Sequence, residues 1–161
     1  MRTAVIPALA AGFLAIAGAA TAAQASEERE LAQVAFSAVD RHGNGYVNLG
    51  DMEAYRELVF VSMDGDDDER ITLDEFMAWD IGFSVLAEDR DRLVAYETAM
   101  KVVFSFWDRD GDGAVSPTEH RHAIIADFRR ADLDDDALLT EPEFLAGFSV
   151  IAALRAAVGH D

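Results

Sequence analysis

The sequence predicts an all-α fold: one compact helical domain in which helices carry four acidic loops. Three observations point there. Aspartates recur in register at Asp40, Asp64, Asp108 and Asp132, spaced 24, 44 and 24 residues apart, and the first two windows match the last two at a constant offset of 68, as in a duplicated two-loop unit. Ahead of each aspartate stands a phenylalanine four residues back (Phe36, Phe60, Phe104, Phe128) and an apolar side chain one residue back (Val39, Met63, Trp107, Ala131), a spacing that shares one helical face. The segments Met52–Met63 and His120–Ala131 contain neither proline nor glycine, and each is too short for two helices and a turn.

In chain order, the first segment reads as a leader. Met1, Arg2 and Thr3 give a short positive end, Ala4 to Ala20 is apolar and uncharged, and Ala23-Gln24-Ala25 fits a cleavage pattern. Residues 1–25 are therefore expected to be a signal peptide and 26–161 the mature domain, periplasmic or secreted and without membrane contact after cleavage. The alternative is an uncleaved anchor, because 17 apolar residues approach the ~20 that span a bilayer. The chain has no cysteine, so an exported form draws its stability from its core or from a metal and not from disulfides.

Charge narrows the partners. Thirteen basic residues oppose 31 acidic ones, a net charge of −18. Such a field repels nucleic acid and anionic membrane surfaces and attracts cations. A merely soluble acidic surface is the bland alternative, and the placement of the acids decides against it.

The acids fall into four twelve-residue windows, 40–51, 64–75, 108–119 and 132–143. Seven residues after each first aspartate comes an aliphatic (Val47, Ile71, Val115, Leu139), and eleven after it a carboxylate (Asp51, Glu75, Glu119, Glu143). The third window, Asp108-Arg109-Asp110-Gly111-Asp112-Gly113 closing at Glu119, meets the full pattern of a calcium loop. On these residues the chain resembles the EF-hand family over roughly 27 to 158.

That resemblance implies calcium as the bound ion, with specified residues as ligands. Calcium takes six to eight oxygens at about 2.3–2.6 Å, supplied by alternate side chains, one backbone carbonyl and a closing carboxylate. The third loop offers Asp108, Asp110, Asp112, the Ala114 carbonyl, Ser116 and Glu119. The fourth offers Asp132, Asp134, Asp136, the Leu138 carbonyl, Thr140 and Glu143, with Ala137 where glycine is expected. The second offers Asp64, Asp66, Asp68, the Arg70 carbonyl, Thr72 and Glu75, with Glu69 in the glycine position. A non-glycine residue in left-handed backbone costs about 1–2 kcal/mol, less than converging carboxylates gain from an ion. The first loop is the weak one. It offers Asp40, Asn44, the Tyr46 carbonyl, Asn48 and Asp51, but His42 presents nitrogen where calcium takes oxygen, and Asp51 is shorter than glutamate.

The spacing also predicts how the loops pair. A single helix shared by two loops keeps them at its opposite ends. The 32 residues from Phe76 to Trp107 have room for an outgoing helix to about Leu86, a bend near Glu88–Asp91 and an incoming helix to Trp107. Short β-bridges are then expected between the second and third loops, through Ile71 and Val115, and between the first and fourth, through Val47 and Leu139. One continuous helix of about 35 residues would leave long apolar faces exposed.

Close loop spacing and export also resemble lanmodulins, exported EF-hand proteins selective for lanthanide ions. Lanmodulin loops carry proline second and aspartate ninth. Here the second residues are Arg41, Gly65, Arg109 and Leu133, and the ninth are Asn48, Thr72, Ser116 and Thr140, which favours calcium.

Other features point less far. His120 and His122, two apart, do not share a helix face, and no nucleophile, base and orienter stand at a recognisable spacing, so no enzyme activity is expected. Phe144, Leu145, Phe148, Ile151 and Leu154 form an apolar stripe on the last helix, read as core, with a docking face for a protein partner as the alternative. Three readings follow: a calcium buffer or metal-stabilised module, a calcium-dependent sensor that recruits a partner, and a lanthanide-binding protein. Met52, Met63, Met77 and Met100 are few for a methionine-rich sensor groove.

Overall fold

The computed structural model describes residues 27–159; the expected leader (1–25), Ser26, His160 and Asp161 lie outside the described residues. Eight helices and four short strands make up the described chain. Helix α1 covers 27–39. Then come β1 (Tyr46–Asn48), α2 (Leu49–Met63), β2 (Ile71–Thr72), α3 (Leu73–Ala78), α4 (Phe83–Asp89) and α5 (Leu93–Trp107). The second half has β3 (Ala114–Val115), α6 (Pro117–Ala131), β4 (Leu138–Thr140), α7 (Glu141–Gly147) and α8 (Ser149–Val158).

The two proline- and glycine-free segments lie within single helices. At the start of α2 the Asn48 side chain accepts the N–H groups of Gly50 and Asp51, while Asp51 accepts that of Asn48. At the start of α6, Ser116 and Glu119 form the same reciprocal cap, with Pro117 just inside; there its missing N–H costs nothing. Each helix ends on an aspartate, Asp64 or Asp132, whose N–H donates to the carbonyl of Phe60 or Phe128.

β1 pairs antiparallel with β4, placing Val47 opposite Leu139, and β2 pairs with β3, placing Ile71 opposite Val115. All four of these aliphatics are fully buried. The phenylalanines ahead of the loops line the same core: Phe36 meets Phe144 edge-on at 5.6 Å, and Phe76 lies 5.6 Å from Phe104 and 5.3 Å from Trp107. α2 packs on α6, and α5 on α8. No described helix is long and apolar enough to cross a membrane.

Two helices are shorter than expected. The helix leaving the second loop stops at Ala78 and does not run to Leu86. Trp79 turns extended (φ −79°, ψ 120°), and Gly82, at φ +103°, opens α4. Asp80 fixes the break by accepting the backbone N–H and hydroxyl of Ser84, at 3.2 and 2.6 Å. The break lets Phe76 and Phe83 both reach the core, each fully buried. The bend after α4 falls at residues 90–92, where the Arg90 and Arg92 side chains donate to the Val158 and Ala157 carbonyls at the end of α8.

The apolar stripe from Phe144 to Leu154 spans two helices, not one, because the backbone is extended at Phe148 (φ −71°, ψ 117°). Its five residues are buried, as core packing requires. The buried carboxylate of Asp127, on α6, holds the start of α8 by accepting both the N–H and the hydroxyl of Ser149, and it pairs with Arg130 at 2.7 Å. Beside this break α7 closes tightly on α6: a Cβ added to Gly147 would stand 2.5 Å from Ala131 Cα.

Candidate metal centres

Each acidic loop is folded by its own carboxylates. The first aspartate accepts backbone N–H groups four and five residues on: Asp40 from Asn44 and Gly45, Asp64 from Asp68 and Glu69, Asp108 from Asp112 and Gly113, Asp132 from Asp136 and Ala137. The fifth carboxylate accepts the N–H two residues further along: Asp68 from Arg70, Asp112 from Ala114, Asp136 from Leu138. These bonds curl each loop back on its first aspartate.

The curl needs two left-handed residues per loop. The sixth positions have positive φ in all four: Gly45 (80°), Glu69 (64°), Gly113 (92°) and Ala137 (65°). Glu69 and Ala137 thus adopt the conformation that glycine takes freely. The fourth positions are left-handed too: Gly43 (64°), Asp67 (58°), Gly111 (71°) and Asp135 (58°). Sequence reading missed these, although glycine or aspartate at one repeated position was the available signal, since aspartate is among the few side chains that tolerate this region.

Three loops bring acidic oxygens together. One ligand atom each from Asp64, Asp66 and Glu75 lie within 4.8 Å of one another, as do those of Asp108, Asp110 and Glu119, and those of Asp132, Asp134 and Asp136. Asp68, Asp112 and Glu143 stand on the same loops but outside these groups. Among the described residues the first loop forms no such group from Asp40, His42 and Asp51.

The first loop has His42 and Asn44 where the fourth has Asp134 and Asp136, and its closing carboxylate also behaves differently. Glu75 Oε1 reaches back across its loop to the Gly65 N–H at 2.8 Å, Glu119 to that of Arg109 at 2.9 Å, and Glu143 to that of Leu133 at 3.1 Å. Their other oxygen accepts from the ninth residue: the Thr72, Ser116 and Thr140 hydroxyls donate at 2.7, 2.8 and 2.6 Å. Each of these hydroxyls donates to the cap and keeps lone pairs on its oxygen. Asp51, one methylene shorter, accepts the Asn48 N–H at 3.1 Å and makes no bond across its loop among the described residues. Tyr46 and Leu138, expected to offer carbonyls, lie in the β1–β4 pair, and Ala114 lies in β3.

The same bonds hold the acids in their charged form. The Thr72 N–H, the Thr72 hydroxyl and the Gly65 N–H pull Glu75 below the usual carboxylate range. Glu143 is lowered by the Thr140 hydroxyl and N–H, and Asp40 by the Asn44 N–H. Partial burial raises Glu119, but its bonds to Ser116, Asp110 and Arg109 outweigh that and lower it overall. Asp112 is lowered first by the Arg70 guanidinium, which crosses from the second loop. Elsewhere on α6, burial between the Phe60 and Trp107 rings pushes the His120 imidazole down to about 3.

Compared with protein-family models, with curated proteins and with solved structures, the chain matches none.

Proposed function

We propose that this chain is a calcium-binding protein of the EF-hand type, exported and acting by occupancy as a calcium buffer or metal-stabilised module. The observation that carries the reading is the convergence of acidic oxygens within 4.8 Å at three equivalent places of a duplicated unit. Exposed carboxylates repel one another, and clustering them opposes the compact state unless a cation joins them. Oxygen-only donor sets with this many oxygens fit a hard cation with a high coordination number, which favours calcium over octahedral magnesium. Asp64, Asp66, Asp68 and Glu75 would hold one ion, Asp108, Asp110, Asp112 and Glu119 a second, and Asp132, Asp134, Asp136 and Glu143 a third, each with a backbone carbonyl at the seventh position.

Calorimetric titration of residues 26–161 with calcium, magnesium and lanthanum tests the reading. Three calcium sites, with magnesium binding more weakly, are expected. A lanthanum preference that survives a large excess of calcium would move the assignment to a lanthanide-binding protein, and no heat from any of the three ions would overturn it.

A further inference from the structure

Away from the acidic loops, the core holds a partly open cavity of about 140 Å³. Its wall is largely apolar, built from Val59, Met63, Phe76, Met100, Ile124 and Phe148 among others, and includes Val34, which is 68% exposed. Of the side chains with polar atoms in this wall, two hold buried nitrogens without a partner. His120 is fully buried, and neither ring nitrogen has a hydrogen-bond partner among the described residues. Trp107, 3% exposed, lines the same cavity, and its Nε1 is likewise without a partner. The two rings lie 4.8 Å apart, with Phe60 5.6 Å from His120.

Folded proteins rarely leave buried N–H groups and ring nitrogens unsatisfied, because each has given up its bonds to water. Three such nitrogens beside one cavity call for an occupant carrying a hydrogen-bonding atom. A neutral imidazole has one donor and one acceptor, and the indole has one donor, so a hydroxyl group, which both donates and accepts, suits the indole N–H together with one imidazole nitrogen. The remaining wall calls for apolar surface. The volume is close to that of a dry cavity of about 150 Å³ that admits benzene. Arg56 also lines the cavity, but its charge is answered by Glu53 at 3.3 Å and Glu57 at 3.5 Å, so the site makes no demand for an anion.

We propose that this cavity binds a small uncharged phenol, its ring among the apolar side chains and its hydroxyl against His120 and Trp107. The site does not depend on which ion the acidic loops take.

The test uses the full mature chain in calcium-containing buffer, with para-cresol as probe and toluene as its hydroxyl-free match. Binding is followed by the fluorescence of Trp79 and Trp107, both of which line the cavity, and by the ring ¹⁵N signals of His120. Saturable para-cresol binding is expected, at least about tenfold tighter than toluene, as one well-made hydrogen bond provides, with the His120 ring signals moving on saturation. His120→Phe, which keeps a ring in place, should weaken the preference, leaving only the Trp107 N–H to meet the hydroxyl. Equal affinity for the two probes with unmoved His120 signals would overturn the proposal and leave an apolar void. Absence of saturable para-cresol binding at millimolar concentration would overturn it as well. The wild-type comparison decides the matter even if the variant fails to fold.

Discussion

Arg70 Nη2 lies 2.5 Å from Asp112 Oδ2, so a side chain of the second acidic loop holds a carboxylate of the third. The Ile71–Val115 pairing beside it sets the two loops close enough for this contact. Asp112 is one of the oxygens proposed to hold an ion. Arg70 is therefore a built-in competitor for that ion, and it also couples the two loops.

Replacing Arg70 with alanine should raise calcium affinity at the third loop by about two- to fivefold, the scale of a half-exposed ion pair. The gain should shrink as salt rises, because exposed charges are screened. Calcium titrations of the variant at low and high ionic strength check this. A fall in affinity would mean that Arg70 orders Asp112 for the ion.

The first loop should be repairable. His42→Asp supplies the missing oxygen, and Asp51→Glu supplies the reach that Glu75, Glu119 and Glu143 use to cross their loops. The double variant should bind one calcium ion more than the parent in the same titration. An unchanged count would show that the ranking of the loops by ligand set is mistaken.

Asp127 sets a pH dependence with a definite sign. Burial raises its pKa above 3.8, against the opposing bonds from Ser149 and Arg130. Between the unfolded and the raised folded value the folded chain binds more protons, so this group's contribution to stability falls as pH rises through that window. Above the folded value the cost of its buried charge is complete. Asp127→Asn removes the charge. Its stability relative to wild type should therefore improve as pH rises through the window, by no more than about 1.4 kcal/mol per pH unit. The loop glutamates have lowered values and act with the opposite sign, losing their contribution as pH falls, but they do so equally in both proteins. Denaturant unfolding of the pair from pH 3 to 7 checks the sign, and a pH-independent difference would refute it.

The loops were legible in the sequence because their chemistry is local. The register of Asp40, Asp64, Asp108 and Asp132, the helix-face phenylalanines, and the bridges Val47–Leu139 and Ile71–Val115 all follow from fixed offsets. The break between α7 and α8 was not legible, because it is held by Asp127, 22 residues before Ser149, and by the close approach of Gly147 to Ala131. The break at Trp79 carried a nearer sign in Asp80 and Ser84, but helical periodicity through Phe76 and Phe83 masked it. In the sequence His120 stands out only as half of an H-x-H pair. Its burial between Phe60 and Trp107 is a tertiary fact that spacing does not carry.

Metal removal should loosen the fold. An ion that binds only the folded chain stabilises it by about 2.7 kcal/mol per independent site at a hundredfold excess over Kd. Three sites amount to much of the stability of a small domain, and no disulfide compensates. Chelator-treated protein should lose helical circular dichroism and melt at a lower temperature, with Trp107, next to Asp108, reporting the change by fluorescence. Identical melting with chelator and with calcium would mean that the core folds independently of the loops.

The central claim, that three particular loops each hold a calcium ion, is tested most directly by counting ions on the intact protein. Native mass spectrometry of residues 26–161 at graded calcium should show three ions bound, and two in Glu119→Gln, which takes the charge from the carboxylate closing the third loop. No calcium retained by the parent, or the same count in parent and variant, would contradict the account.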